Sequence, residues 1–216
     1  MNSWIFRDNK KGISNRIIFF HHAGGTASFY KGWSELFSQD TEVCAVQLPM
    51  RANRICESMP ESIEQLARNF IEENSGIFDK PFILFGHSMG AQIAFEVSCQ
   101  LSRKGINPEA LFVSACEAPL IPEEKDISAK EEEERTIIQI LKDYGHMVDD
   151  DILDDPDFRS YYIPIVRQDF YISEKYFKPQ SKILSCPIYA LCGKNDPFVK
   201  PKKCQGWCGY TDCPCT

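Results

Sequence analysis

The stretch Phe82-Ile83-Leu84-Phe85-Gly86-His87-Ser88-Met89-Gly90-Ala91-Gln92-Ile93-Ala94-Phe95-Glu96 constrains this chain more than any other. An apolar, β-rich run enters Gly-His-Ser-Met-Gly, and an amphipathic helical pattern leaves it. The G-x-S-x-G arrangement, set between strand and helix, holds a serine in a strained turn with its hydroxyl exposed above a sheet. Gly86 and Gly90, lacking β-carbons, let strand and helix pass close to that turn. Ser88 also opens a helix, where free backbone N–H groups and the helix dipole favour developing negative charge. Ser88 is therefore the candidate nucleophile; the plainer reading is an incidental serine in a Gly-rich βα loop.

Around this turn, short apolar runs alternate with helical patterns. Arg16-Ile17-Ile18-Phe19-Phe20 reads as a buried strand, paired with another near Trp4-Ile5-Phe6. A helix is expected over Tyr30 to Phe37, and a strand over Glu42 to Leu48. Ser62 opens a helix with Gln65 three residues on, as in a capping box, and Ile63, Leu66, Ala67, Phe70 and Ile71 follow helical spacing. Beyond the serine turn, Ile93, Ala94, Val97 and Leu101 mark a buried helix face, and Ala110–Ser114 and Pro187–Cys192 read as strands. This alternation implies an α/β fold: a largely parallel sheet covered on both faces. From about 118 to 181 the character changes to acidic runs, prolines and aromatics, an insertion of helices expected to form a lid over the rim; additional core helices are the alternative.

Strand ends carry the remaining candidates. His21-His22-Ala23-Gly24-Gly25-Thr26 follows the first buried strand with small residues, whose backbone N–H groups can turn toward a ligand. Two such donors make an oxyanion hole in acyl transfer: the N–H after the nucleophile, here Met89, and one from this loop, for which Ala23 is favoured and Gly24 is next. His22 is read as orienting the loop by hydrogen bonding rather than as a general base. Arg51 and Arg54 either fork onto an anionic ligand or pair with acidic neighbours. Gly193-Lys194-Asn195-Asp196 places Asp196 at the rim, the candidate that orients a histidine and stabilises its charge; a plain turn is the alternative. His146, in Tyr144-Gly145-His146-Met147, reads as a surface or lid residue.

The net charge of −7 argues against broad nucleic-acid or anionic-membrane binding, and no apolar run approaches a membrane span. The polar N-terminus lacks a signal peptide's apolar segment, so a cytoplasmic protein is expected, without a disulfide framework. Four of the ten cysteines (Cys204, Cys208, Cys213, Cys215) crowd the end of the chain. Their C-x3-C-x4-C-x-C spacing lacks paired C-x2-C knuckles, and no metal is assigned to them.

Together these segments resemble the type II thioesterases that accompany non-ribosomal peptide and polyketide synthetases, over roughly residues 16–211. The resemblance rests on the His-Ala-Gly-Gly-Thr-Ala-Ser-Phe loop, Val46-Gln47-Leu48-Pro49 with Arg51 and Arg54, Phe85 to Gly90, Leu111 to Ser114 with Ala118-Pro119, Arg167-Gln168-Asp169, and Leu191 to Asp196. It implies a single α/β-hydrolase domain over 1–216 with a lid. It also implies hydrolysis of acyl or aminoacyl thioesters on the phosphopantetheine arm of carrier domains, by a monomer without diffusible cofactor or metal. Ser88 would attack, Ala23 and Met89 would stabilise the oxyanion, and Asp196 would orient a histidine. Met50 departs from the family, which usually carries glycine there. A larger departure is that the family's catalytic histidine follows the aspartate in a Gly-Gly-His-Phe-Phe-like segment, whereas no histidine follows His146 here. The expectation is a chain that stops before its general base, with little or no activity if full-length. The alternatives are a general carboxylesterase of the same fold and an inactive carrier-binding fragment.

Overall fold

Six short apolar runs line up as one sheet in the computed structural model, which describes residues 4–8, 10–120, 134–143, 150–181, 183–196 and 198–216. The strands are β1 (Ile5–Arg7), β2 (Asn15–Phe20), β3 (Thr41–Val46), β4 (Phe82–His87), β5 (Ala110–Ser114) and β6 (Ile188–Leu191), in the spatial order β1-β3-β2-β4-β5-β6. All neighbours run parallel except β1, which pairs antiparallel with β3. The first strand therefore lies at the sheet's edge beside β3, and the expected pairing with β2 is corrected: β2 is already flanked by β3 and β4. With helices on the sheet and a helical insertion before β6, this is the α/β-hydrolase architecture with a lid.

Period-two alternation explains how β2 is buried on both sides. Ile18 and Phe20 face the main core, built on α1 (Ile63–Glu73) and α2 (Met89–Ser102), while Ile17 and Phe19 face a second cluster with Tyr30 and Val43. The predicted helical stripe of α1 is buried, with Ile63, Leu66, Ala67 and Phe70 at 0 % exposure. Ser62 Oγ accepts the Gln65 N–H at 3.2 Å, but the Gln65 side chain reaches back to Glu61 N rather than Ser62 N. The helix expected over Tyr30–Phe37 is corrected to two 3-10 turns, Ala27–Tyr30 and Trp33–Leu36, separated by Gly32 at φ 85°.

The insertion contains α3 (Glu134–Asp143), α4 (Asp150–Leu153) and α5 (Pro156–Glu174). It has its own small core of Ile137, Leu141, Leu153, Tyr162, Ile163 and Val166. Asp155 caps α5 by accepting from the N–H groups of Asp157 and Phe158, which uses one of the acidic stretches as helix punctuation. Residues 131–133, His146 and the rest of 144–149 lie outside the described residues.

After α6 (Pro201–Cys204), Trp207 and Tyr210 sit at 0 % exposure in a 3-10 turn, packed on Phe95. The tail then runs parallel beside β6. Ile188 N donates to Pro214 O at 3.1 Å, and Ala190 N donates to Thr216 O at 2.7 Å. A disulfide joins Cys208 to Cys215. The four clustered cysteines thus divide among this bond, Cys204 against Cys192, and Cys213 near Cys186. The expectation of no disulfide is corrected to this extent, and the end of the chain forms an ordered edge segment.

Candidate active site

The β4–α2 turn is compressed to a single residue. Ser88 stands between the last residue of β4 and the first of α2 at φ 54°, ψ −123°. A residue with a β-carbon holds positive φ only where its surroundings over-determine it. Here Ser88 N donates to Ser114 O at 2.8 Å, and Ser88 O accepts from Ala91 N at 2.8 Å. The flanking glycines supply the space: a β-carbon on Gly86 would lie 2.1 Å from Gly90 O, and one on Gly90 would lie 2.2 Å from Phe20 O. The second contact presses the start of α2 against the end of β2, beside the loop that follows it. Ser88 is half-buried, and its hydroxyl has no hydrogen-bond partner among the described residues.

That loop is organised by a carbonyl rather than a ring. His22 O accepts from Gly25 N at 3.0 Å and lies 2.8 Å from His21 Nδ1. A carbonyl only accepts, so neutral His21 carries its proton on Nδ1. The His22 ring Nδ1 is buried without a partner among the described residues, so the expectation that His22 orients the loop by hydrogen bonding is corrected: the bond to the loop comes from its backbone carbonyl, which any residue could supply. Burial, with the charge of Arg51 adding, holds His21 well below its usual range; burial, then His87 and Arg51, pushes His22 down to about 4. Of the two donors weighed for the oxyanion, Gly24 N–H is already bound to Asp169 Oδ2 at 2.7 Å. Ala23 N–H takes no acceptor among the described residues, and Met89 N–H, at the first helical position, has none within its helix.

Asp196 lies just past β6, half-buried, its backbone N–H closing a turn onto Gly193 O at 3.1 Å. Its Oδ1 accepts from Phe198 N and Val199 N, each at 2.9 Å. Sequence reasoning gave no role to His87, yet this ring lies 5.9 Å from that of His22 and pairs its Nδ1 with Ser114 Oγ at 3.0 Å. Burial lowers its pKa while the charge of Asp196 opposes the shift, so Asp196 and His87 share one electrostatic neighbourhood. The available signal was position, since His87 ends the strand that delivers Ser88.

The two arginines pair internally. Arg51 makes a forked ion pair with Asp169 of α5, Nη1 to Oδ2 and Nη2 to Oδ1, both at 2.6 Å. Arg54 pairs with Glu57 and stacks its guanidinium 3.6 Å from the Trp4 ring centre. Among the described residues, no group of three His, Cys, Asp or Glu side chains is arranged to hold a metal, and no helix is long and apolar enough to cross a membrane. A cavity of about 420 Å³ opens between β1, β3 and the turns after β2. Ser88, Met89 and Asp196 are not among its walls, and no acyl binding is assigned to it.

A parallel sheet that delivers a serine on a one-residue strand–helix turn, with an aspartate past a later strand, is the architecture of the serine hydrolases. The chain belongs to the thioesterase family: the family's Thioesterase domain model matches residues 15–207. It is 33% identical to the gramicidin S biosynthesis protein GrsT of Aneurinibacillus migulanus, over 96% of this chain and 81% of that protein. It is 31% identical to thioesterase PikA5 of Streptomyces venezuelae, over 92% of this chain and 70% of that protein. Among solved structures it resembles the type II thioesterase BorB from the borrelidin biosynthetic cluster, with a TM-score of 0.83 and 32% identity, covering 99% of this chain and 86% of that one.

Proposed function

We propose that this chain is a type II thioesterase that releases acyl or aminoacyl groups from the phosphopantetheine thioesters of carrier domains in non-ribosomal peptide or polyketide biosynthesis. Ser88 Oγ attacks the thioester carbonyl, the N–H groups of Met89 and Ala23 stabilise the oxyanion, the pantetheine thiol leaves, and water releases the acid from Ser88. The observation that carries this reading is Ser88 at φ 54° on the first turn of α2, with the Ala23 loop held against that turn through Gly90. The resemblance to GrsT, whose name places it in gramicidin S biosynthesis, supports the substrate class.

The same reading assigns Asp196 to the triad as the carboxylate that orients a histidine, and no histidine follows it within residues 1–216. Support for Asp196 comes from its place just past β6, with its charge reaching His87 at the end of the strand that delivers Ser88. A catalytic serine without its base keeps only the residual rate that the oxyanion hole and binding supply. The deciding experiment compares residues 1–216 with the protein read through from its gene, using an acyl-pantetheine thioester and the matching oxygen ester, with Ser88→Ala as control. Thioester turnover restored by a histidine-bearing extension, together with mass-detected acylation at Ser88, is the expected result. An in-frame stop after codon 216 with no acylation would leave the inactive carrier-binding reading, and preference for the oxygen ester would favour the carboxylesterase.

A further inference from the structure

One carboxylate of the lid reaches the oxyanion loop. Asp169 lies on α5 at 0 % exposure, and its Oδ2 accepts from both Gly24 N–H at 2.7 Å and Arg51 Nη1 at 2.6 Å. Arg51, 1 % exposed, also donates from Nη1 to Gly25 O at 3.3 Å and from Nε to Pro49 O at 2.9 Å. Both sides of the glycine pair are thus held, the Gly24 N–H by Asp169 and the Gly25 carbonyl by Arg51. Gly24 sits at φ 73° directly beneath α5, where a β-carbon would lie 2.5 Å from Tyr162 Oη and 3.0 Å from Val166 Cγ2. The loop takes its shape against the lid helix.

We propose that Asp169 is a positioning residue for thioester hydrolysis: seated on α5, it fixes the peptide after Ala23 and so keeps the Ala23 N–H aimed at the oxyanion. Adjacent glycines have a wide choice of backbone conformation, whereas an oxyanion donor acts only when its direction is set before the charge develops. A buried ion pair adds little net stability over an apolar pair of the same shape, so stability alone does not account for this one. Its third hydrogen bond, to the loop, does. It follows that the hole is assembled while α5 is seated and relaxes when the lid helix shifts. The inference rests on the Ser88 and Ala23 roles proposed above.

The test uses two variants of the full-length protein, Asp169→Asn and the apolar pair Arg51→Met/Asp169→Leu. The second removes both charges together and so keeps the fold should the first fail to fold. Amide hydrogen exchange is expected to quicken at least about ten-fold at Ala23, Gly24 and Gly25 while β2 and α2 keep their parent rates. In turnover, kcat for an acyl thioester should fall about ten- to hundred-fold with KM nearly unchanged, within the loss that follows removal of one oxyanion donor. The parent's preference for a carbonyl over its thiocarbonyl analogue should shrink in the same variants, a change that a structural role would not produce. Loop exchange equal to the parent's in the folded variants, or exchange and both substrates affected uniformly, overturns the proposal. A parent that never acylates Ser88 would count against the catalytic reading, while the exchange measurement still decides the coupling.

Discussion

Gly86 and Gly90 approach so closely that a β-carbon on Gly86 would lie 2.1 Å from the Gly90 carbonyl oxygen. The obstruction is backbone, which no side-chain rotation relieves. Gly86→Ala is therefore expected to destabilise the fold by at least about 3 kcal/mol, the upper range for overpacking. Gly12→Ala is the internal control, since Gly12 has φ 72° but open space around it. Only the left-handed backbone is penalised there, about 1 kcal/mol. Urea midpoints of the two variants check the ranking, and equal losses would contradict it.

The buried histidines predict how stability depends on acid. His22 titrates at about 4 in the folded chain, below its ordinary 6.5, because burial and then nearby positive groups disfavour its charged form. Between those values the unfolded chain binds the proton and the folded chain does not. Stability is therefore full above pH 6.5 and is lost as the pH falls toward 4, by roughly 3 kcal/mol for a shift of this size. His21, shifted in the same direction, adds to the loss. Denaturant unfolding across this window should show the slope, and His22→Gln should flatten it. An unchanged slope in the variant would remove His22 as its source.

Met50 stands at φ 68° between β3 and the Arg51 turn. This places an L-residue in the left-handed region, where only glycine is unstrained. Comparing Met50→Gly with Met50→Ala separates strain from packing, since both lose the methionine side chain. The glycine variant is expected to be the more stable of the two by about 1 kcal/mol. Thermal or urea unfolding measures it, and the reverse order would show that Met50 is not strained.

What the sequence made legible was local. Apolar periodicity marked α1 and β4, and the motif carried the sharp turn at Ser88, because each depends on neighbours a few residues away. Tyr30, Trp33 and Phe37 mimicked a helical stripe, but Gly32 at φ 85° breaks that segment into two turns that still bury Tyr30. The partner of β1 was misjudged because strand order is set by the whole sheet. Asp169 showed the same limit at the site: it stood in a recognised motif, yet its partners Arg51 and Gly24 lie 118 and 145 residues away. The division of the cysteines was equally illegible, since spacing alone does not say which thiols meet.

The Cys208–Cys215 disulfide gives the last prediction. It closes a loop with a sequence separation of 7 and pins the tail whose carbonyls at Pro214 and Thr216 accept from Ile188 N and Ala190 N. Cross-linking so short a loop restricts the unfolded chain by about 2 kcal/mol in the chain-entropy account. In reducing solution, or in Cys208→Ser/Cys215→Ser, the tail loses that restraint while Trp207 and Tyr210 keep their buried seats. Amide exchange at Ile188 and Ala190 should then quicken, since each amide's acceptor belongs to the freed segment, while β4 and α2 keep their protection. Unaltered exchange at both amides after full reduction would show that β-pairing alone holds the tail. A general loss of protection would show that the bond supports the whole domain rather than its edge.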